Sequence, residues 1–455
     1  MRPYNFRKFL APGLLTAGFA AILAINWPGQ MSYDSVMQLA DGRSGHYDSW
    51  HPVVMAWLLG LADALVPGPG LYLVFTILLL WGAWLILLRG GRPGFGAALL
   101  VVLLLLTPQL VLYQGTIWKD VLFAGAGIAA FAALAAAATW WTQARARLAW
   151  LLLSALLLSL ATLARQNGIL LVPVAAVFLA IIAARKTPRG NGWRYGMGLL
   201  ATSLVISGIA NFALSFRSDG GDGARSELRL AQTYDLVGAA RLDPAITFPM
   251  LERKAPRLDA AIRKDGVPLY SPLLVDTLEP AVPLQTEIGR APPGAIFAAW
   301  SALVLQHPAL YLKVRWPVFH WVLAPPDLLQ CHPDVVGVDG PKDVLNTLGL
   351  KEQIRPQDRF LYFYVMRFVG IPILSHLLFA ALAFGSLVLL LRRGQGSDIA
   401  IAGLMAGALI FALSFYVISI ACDYRYLYFL DLAAMTGMLK LASGSERIAS
   451  PGEPF

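Results

Sequence analysis

Long apolar segments separated by short polar ones fill most of this chain. A membrane-spanning helix needs about 20 mainly apolar residues. Segments that approach this length lie at roughly 9–26, 70–88, 96–113, 121–141, 148–164, 168–184, 196–216, 367–391, 399–421 and 426–440. The apolar run 53–66 is shorter and is interrupted by Asp63. The pattern predicts an all-α multi-pass membrane protein with about ten transmembrane helices.

Composition supports a membrane protein and argues against a nucleic-acid-binding one. Hydrophobic residues make up 57% of the chain and charged residues only 14%, whereas soluble domains carry about a quarter charged residues. The formal net charge is +9, but the segment 217–359 is nearly neutral, with 16 Lys and Arg against 17 Asp and Glu. The excess of basic residues therefore lies in the apolar part, where it indicates loop orientation.

The basic residues of the short loops orient the predicted spans. If 53–66 does not span, all of these clusters fall on the N-terminal, cytoplasmic side of the membrane. The clusters are Arg89 with Arg92, Arg145 with Arg147, Arg185 to Arg194, and Arg392 with Arg393. We therefore expect 53–66 to form an interfacial or re-entrant helix. The basic, apolar segment Met1–Ile25 is expected to be an uncleaved signal anchor.

Four parts of the chain follow from this topology. They are an N-terminal transmembrane module (1–216) with a first outer loop (27–69), a mainly helical outer region (217–361), C-terminal transmembrane helices (362–441) and a cytoplasmic tail (442–455). In the outer region, Ala295–Leu305 and Tyr311–Leu323 are apolar but short. They are expected to lie on the membrane, cover a site as a lid, or enter the membrane as a hairpin.

The two cysteines are too few for a disulfide scaffold or a CxxC metal site. Cys331 and Cys422 both fall on the predicted outer side. An oxidising compartment there would allow a disulfide between them.

The first outer loop carries the first group of candidate site residues. Asp34 follows the first span and could take a proton from a hydroxyl group or bind a divalent ion with a second carboxylate. Tyr33, Asp48 and His51 lie in the same loop as candidate substrate contacts. His51 precedes a proline that is suited to the first turn of a helix, so a capping role is equally open.

Further candidates lie at the outer ends of later spans. Lys119 and Asp120 anchor a helix at the membrane edge, or they serve a phosphate and an acceptor or metal ion. Trp118 beside them offers a face on which a sugar can stack. Asp120 is therefore a candidate catalytic residue, and Trp118 and Lys119 are candidate substrate contacts.

Two more outer span ends add arginines. Arg165 and Asn167 lie in the turn between two spans, and a guanidinium there suits a lipid phosphate as well as an ordinary headgroup. Arg425 and Tyr426 begin the last span, where they belong to an aromatic belt or hold the phosphate of a donor. Charged residues from distant segments that converge on one face are typical of a functional site.

Taken together, these motifs resemble bacterial glycosyltransferases of the GT-C superfamily. This group includes the aminoarabinose transferases to lipid A and the protein O-mannosyltransferases. The resemblance rests on Tyr33-Asp34-Ser35, His51-Pro52, Lys119-Asp120, Arg165-x-Asn167-Gly168 and Arg425-Tyr426. It covers roughly residues 1–215 and 360–440 and leaves the outer region without a counterpart.

The resemblance implies a polyprenyl-phosphate-linked sugar donor and transfer, with inversion, to a lipid, glycan or protein acceptor. The reaction would take place on the periplasmic face of the bacterial inner membrane. Asp34 would be the general base or, in metal-dependent members, a ligand of Mg²⁺ or Mn²⁺, with Asp120 as the second acidic residue. Lys119, Arg165 and Arg425 would meet the donor phosphate. The chain has Asp34-Ser35 where the O-mannosyltransferases show Asp-Glu.

Two alternatives remain at this level. A lipid-linked glycan transporter or flippase would place polar residues mid-span on several helices, whereas here the charges cluster at one face. An O-antigen ligase or polymerase would use a related reaction with a diphosphate donor. Neither alternative, nor the glycosyltransferase itself, requires nucleic acid as a partner.

Overall fold

A computed structural model describes residues 7–47, 52–187, 191–216 and 223–444. Within these ranges the chain is helical, and backbone pairing between extended residues is limited to isolated bridges. In chain order the first ten α-helices are α1 (Arg7–Asn26), α2 (Tyr33–Ser44), α3 (Val53–Leu65), α4 (Gly70–Gly90), α5 (Phe95–Leu105), α6 (Pro108–Val111), α7 (Lys119–Thr139), α8 (Ala144–Ala164), α9 (Leu171–Lys186) and α10 (Gly192–Ser215). The remaining helices are α11 (Gly223–Leu242), α12 (Pro249–Lys254), α13 (Pro256–Ala261), α14 (Val282–Arg290), α15 (Ala295–Gln306), α16 (Pro308–Leu323), α17 (Lys342–Leu348), α18 (Pro356–Met366), α19 (His376–Arg393), α20 (Gly396–Ile418) and α21 (Tyr428–Ala442).

The chain forms two compact units. The first unit comprises Met1–Asp219, Asp334–Phe411 and Arg425–Phe455. The second comprises Gly220–Pro333 and Ala412–Tyr424. Helices α11 to α16 therefore belong to the second unit, together with the last part of α20.

The expected all-α multi-pass architecture is confirmed. Among the described residues, eight helices are long and apolar enough to cross a membrane, and counting two bent helix pairs raises the number to ten. The eight are α1, α4, α7, α8, α9 with its preceding turn, α10, α19 and α20. The predicted span at 96–113 is a broken one, because α5 and the segment 108–115 meet at 65°. The predicted span at 426–440 is α21, which has only 15 residues.

The short apolar run after the first outer loop forms α3, a helix of 13 residues. Its length is about 20 Å, less than the hydrocarbon thickness of about 30 Å. Asp63 accepts hydrogen bonds from Arg43 on both carboxylate oxygens, at 2.6 and 2.9 Å. These hydrogen bonds hold the pKa of Asp63 below its usual value. The charge that interrupts the apolar run is thus satisfied within the first unit.

Helices α2 and α3 pack with their backbones in contact. A Cβ atom on Gly60 would lie 2.2 Å from the carbonyl oxygen of Gly42, so glycine is required at this crossing. The ion pair between Arg43 and Asp63 joins the same two helices. Helix α2, which begins with Tyr33 and Asp34, is therefore fixed in orientation by its neighbour.

Helix α7 lies at the centre of the first unit. Its apolar window is wholly buried, and alanines and glycines make up most of it. Small residues let neighbouring helices approach closely; a Cβ atom on Gly127 would lie 3.2 Å from the ring of Phe429 in α21. Helix α21 is also almost entirely buried. The two innermost helices thus begin with segments that carry predicted site residues.

Three of the short loops that carry basic residues lie together at one end of the first unit. Lys186 donates a hydrogen bond to the carbonyl of Ala138 at 2.7 Å, and Arg185 donates to that of Gly394 at 3.1 Å. These loops are the ones that the positive charges assign to a common side. Their contacts support the predicted alternation of the spans.

The second unit has its own apolar core and a buried ion pair. Arg315 lies 3.0 Å from Asp235, and both side chains are nearly inaccessible to solvent. Burial raises the pKa of Asp235, while the charge of Arg315 acts in the opposite direction. Arg315 also donates to the carbonyls of Tyr416 and Ser419, at 2.9 and 2.5 Å. These bonds attach α16 to the segment 412–424.

Cys331 and Cys422 form a disulfide within the second unit. The pairing considered from the sequence is therefore confirmed. Backbone hydrogen bonds from Val275 to Ile420 and from Cys422 to Leu273, at 2.8 and 2.7 Å, bind the same segment. The segment that follows α20 is thus held covalently and by hydrogen bonds.

Candidate functional site

Three segments of the first unit are joined by backbone hydrogen bonds where α2 begins. The amide of Gln30 donates to the carbonyl of Gly115 at 3.0 Å, and that of Ile117 donates back to Gln30 at 2.9 Å. On the other side, Met31 donates to Gly337 at 2.8 Å. This pairing places the first turn of α2 beside the first turn of α7.

Asp34 forms an ion pair with Arg425. Asp34 lies in the first turn of α2, and Arg425 lies in the short turn that precedes α21. The Arg425 Nη1 atom donates to the Asp34 Oδ2 atom at 2.9 Å. The two side chains are 30% and 18% exposed, so a ligand can still reach the carboxylate. Charge-assisted hydrogen bonds of this type also suit phosphate oxygens.

Trp118 lies against the same arginine. The guanidinium carbon of Arg425 is 5.2 Å from the ring centroid of Trp118, within the range of a cation–π contact. The Trp118 indole N–H donates to the Ser32 hydroxyl at 3.0 Å. The indole is buried and fixed by this hydrogen bond, and its ring packs against Arg425.

Asp120 and Arg165 form a second ion pair. Asp120 lies in the first turn of α7 and is 2% exposed, and Arg165 is 11% exposed. The Arg165 guanidinium carbon lies 5.5 Å from the ring centroid of Tyr426 and 5.7 Å from that of Phe411. Because Tyr426 directly follows Arg425, each of the two ion pairs includes or contacts one residue of this dipeptide. The structure therefore brings both predicted acidic residues and both predicted arginines together.

The remaining predicted site residues occupy varied positions. Tyr33 is 54% exposed at the start of α2. Lys119 is the half-buried first residue of α7, and Asn167 is half-buried in the turn before α9. Asp48 and His51 lie outside the described residues.

Among the residues that the structure describes, the acidic side chains of this region do not form a metal-binding group. In the described ranges, no group of three or more His, Cys, Asp and Glu residues is arranged to hold one. Asp34 and Asp120 each face a guanidinium group. The role of Asp34 as a ligand of Mg²⁺ or Mn²⁺ is therefore not supported by its surroundings.

Arg355 is a residue of this region that the sequence did not single out. It donates to the carbonyl of Trp27 at 2.5 Å and contacts both carboxylate oxygens of Asp358 at 2.9 Å. Burial raises the pKa of Asp358, but hydrogen bonds from Arg355 outweigh it and leave the pKa below its usual value. The sequence signal for this pair was Arg-Pro-x-Asp at the start of a helix. In that sequence Arg355 and Asp358 form the capping box of α18.

A buried polar network supports the helix that follows Arg425. The Asp431 carboxylate lies 2.8 Å from the Nδ1 atom of His376. The Tyr428 hydroxyl donates to the carbonyl of Gln109 at 3.1 Å. The network connects α21 to α19 and α6, which fixes the start of α21.

Replacing Asp120 with alanine is expected to destabilise the protein by about 3–5 kcal/mol, because Arg165 would remain buried without its carboxylate. Thermal unfolding of the purified protein in detergent measures the effect. Asp343→Ala, at an exposed carboxylate in α17, is the matched control and should change little. An unfolding temperature for Asp120→Ala equal to that of the control would contradict the importance of this pair.

No family model matches the sequence, and no curated protein matches it either. Among solved structures, the chain is similar to the archaeal oligosaccharyltransferase AglB from Archaeoglobus fulgidus in complex with an inhibitory peptide and a dolichol-phosphate. That similarity has a TM-score of 0.43 and 12% identity over 96% of this chain and 50% of the other. The apo form of the Archaeoglobus fulgidus oligosaccharyltransferase gives a TM-score of 0.42 and 13% identity, covering 96% of this chain and 51% of that one. The chain thus spans about half the length of these proteins.

Proposed function

We propose that this protein is a GT-C type glycosyltransferase that moves a sugar from a polyprenyl-phosphate donor to an acceptor hydroxyl. The observation that carries the proposal is the pairing of Asp34 with Arg425 beside Asp120 with Arg165. One partly exposed carboxylate can accept a proton, and two arginines can hold a phosphate. The sequence motifs around these four residues support the same assignment.

In this reaction Asp34 acts as the general base. It takes the proton of the acceptor hydroxyl as the oxygen attacks the anomeric carbon of the sugar from the side opposite the phosphate. The bond between the anomeric carbon and the phosphate oxygen breaks, and its electron pair leaves with the polyprenyl phosphate. The configuration at the anomeric carbon is therefore inverted. A donor phosphate that contacts Arg425 would compete with Asp34 for this arginine and leave the carboxylate available to the acceptor.

Arg425 and Arg165 stabilise the charge that develops on the departing phosphate. Lys119, at the first position of α7, contributes a third positive charge. Asp120 is nearly inaccessible, so we assign it a positioning role: it orients Arg165, which is also held between two aromatic rings. Trp118 holds Arg425 in the same manner.

The transporter alternative finds little support in the first unit. Buried ionisable residues do occur within the spans, as in the pairs of His376 with Asp431 and Lys440 with Asp398. Each of these side chains is at most 2% exposed. Pairs enclosed in this way are shielded from solvent and do not line a path for a glycan.

We further propose that the site faces the periplasm of a bacterial cell. The meeting of the basic short loops at one end of the first unit supports this orientation. The disulfide of the second unit is typical of an oxidising compartment. The acceptor that we propose is a lipid, a glycan or a protein with a free hydroxyl group.

A transfer assay with purified protein tests the proposal. Matched donors that carry the same sugar on polyprenyl phosphate or on polyprenyl diphosphate are offered to a panel of lipid, glycan and peptide acceptors. Mass spectrometry of the products should show transfer from monophosphate donors. Transfer from diphosphate donors alone would favour the ligase, and donor movement across the bilayer of proteoliposomes without sugar transfer would favour the flippase.

A further inference from the structure

Helices α15 and α16 of the second unit each have one buried and one exposed apolar face. Their inner faces pack into the core of the unit through Ile296, Ala299, Leu303, Tyr311, Val314 and Val318. Four large apolar side chains point away from it. They are Phe297, Leu305, Leu312 and Trp316, with exposed fractions of 56%, 79%, 50% and 56%. Large exposed apolar side chains on two consecutive helices indicate an interaction site.

Helix α16 is attached beside the end of a candidate membrane span. Helix α20 ends at Ile418, and its last residues belong to the second unit. The Tyr416 hydroxyl donates to the carbonyl of Leu312 at 2.9 Å, and Arg315 donates to the carbonyl of Tyr416 at the same distance. Phe319 packs on the Tyr416 ring at 5.3 Å between centroids. The exposed residues of α16 therefore lie level with the last turn of a span, where a bilayer meets water.

The exposed residues of α16 suit this level of the membrane. Trp316 is a residue typical of the membrane interface, and its ring lies 6.2 Å from that of His320. Lys313 is exposed beside Leu312, where its long side chain can reach the headgroups.

The connections of the hairpin argue against a deeper position. Gln306 and His307 form the exposed tip between α15 and α16, and polar side chains at a tip are costly in hydrocarbon. Helix α14 turns away from α15 by 102° and bears the exposed Arg290, so the two do not form one straight span.

We propose that α15 and α16 form an interfacial membrane anchor of the second unit. Their exposed face lies in the headgroup–acyl boundary of the lipid bilayer, as amphipathic helices do. Burial of four large apolar side chains would hold the second unit against the membrane. This inference does not depend on the reaction assigned to the first unit.

Spin labelling of the full chain in lipid nanodiscs tests the anchor. Both native cysteines are disulfide-bonded, so a single introduced cysteine is labelled selectively. The variants are Leu312→Cys and Trp316→Cys in nanodiscs of phosphatidylethanolamine and phosphatidylglycerol, with one copy in each disc. Collision of the label with oxygen and with a water-soluble nickel chelate is measured by power saturation.

Two control positions calibrate the result. Ile209→Cys, on the exposed face of the span α10, reports a lipid environment, and Glu252→Cys, exposed in α12, reports water. We expect the labels at 312 and 316 to collide more with oxygen than with the chelate, as at 209. Collision ratios like those at 252 would overturn the anchor. Low accessibility to both reagents would mean that protein covers this face, which would also overturn it.

Discussion

Replacing Asp34 with asparagine is expected to lower sugar transfer by a factor of about 10²–10⁴ while the protein remains folded. Asparagine has the shape of aspartate but cannot take a proton from the acceptor hydroxyl. The ion pair with Arg425 is more exposed than that of Asp120 with Arg165, and asparagine can still hydrogen-bond to Arg425, so the loss of stability should be smaller than for Asp120→Ala. Initial rates in the transfer assay and a thermal unfolding curve measure the two effects separately.

Asp339→Asn is the matched control for this variant. Asp339 has an exposed carboxylate. Its backbone amide donates to the carbonyl of Met31, and Met31 is close in sequence to Asp34. Its neutralisation removes the same formal charge from the same group of loops and should leave the rate nearly unchanged. Equal losses in both variants would point to a general electrostatic effect, and full activity of Asp34→Asn would remove Asp34 from the mechanism.

Hydropathy alone predicted most of the first unit because lipid imposes length and apolarity on each span. It missed the break in the third predicted span. Thr107-Pro108 was the local signal there, because a residue before proline avoids the helical conformation. The predicted last segment, 426–440, corresponds to α21, a helix of 15 residues that begins two residues later. Tyr424–Leu427, which directly precede α21, are apolar enough to belong to the helix and instead form a separate turn.

The positive charges of the loops predict that the site residues share one face of the membrane. They do not predict how these residues pair. Asp34 and Arg425 are 391 residues apart in the chain, and either carboxylate could have paired with either arginine. Tertiary packing determines which residues pair. Asp120 at the start of α7 lies beside Arg165, which directly follows α8, and the turn before α21 extends Arg425 towards α2. Arg355 was missed because it lies in a region where no motif was recognised.

Arg425 is the residue that we expect to give the second-largest loss of activity. It contacts Asp34 on one side and Trp118 on the other, in the segment that the Asp431 network fixes. A group held in this way before substrate binds can stabilise charge on the leaving phosphate without reorganising. Its removal should therefore affect the transition state more than the binding of the donor, and kcat should fall together with kcat/KM.

Replacing Arg425 with alanine is accordingly expected to reduce kcat by a factor of about 10²–10³. Arg425→Lys keeps the charge but loses the planar guanidinium that stacks on Trp118, so it should recover only part of the activity. Arg359→Ala, at an exposed arginine of α18, is the matched control and should retain the wild-type rate. A rise in KM with kcat unchanged would show that Arg425 only binds the donor. If Arg425→Ala were as active as Arg359→Ala, Arg425 would be excluded from the leaving-group site. Arg165 would then be the one remaining arginine that we assign to that site.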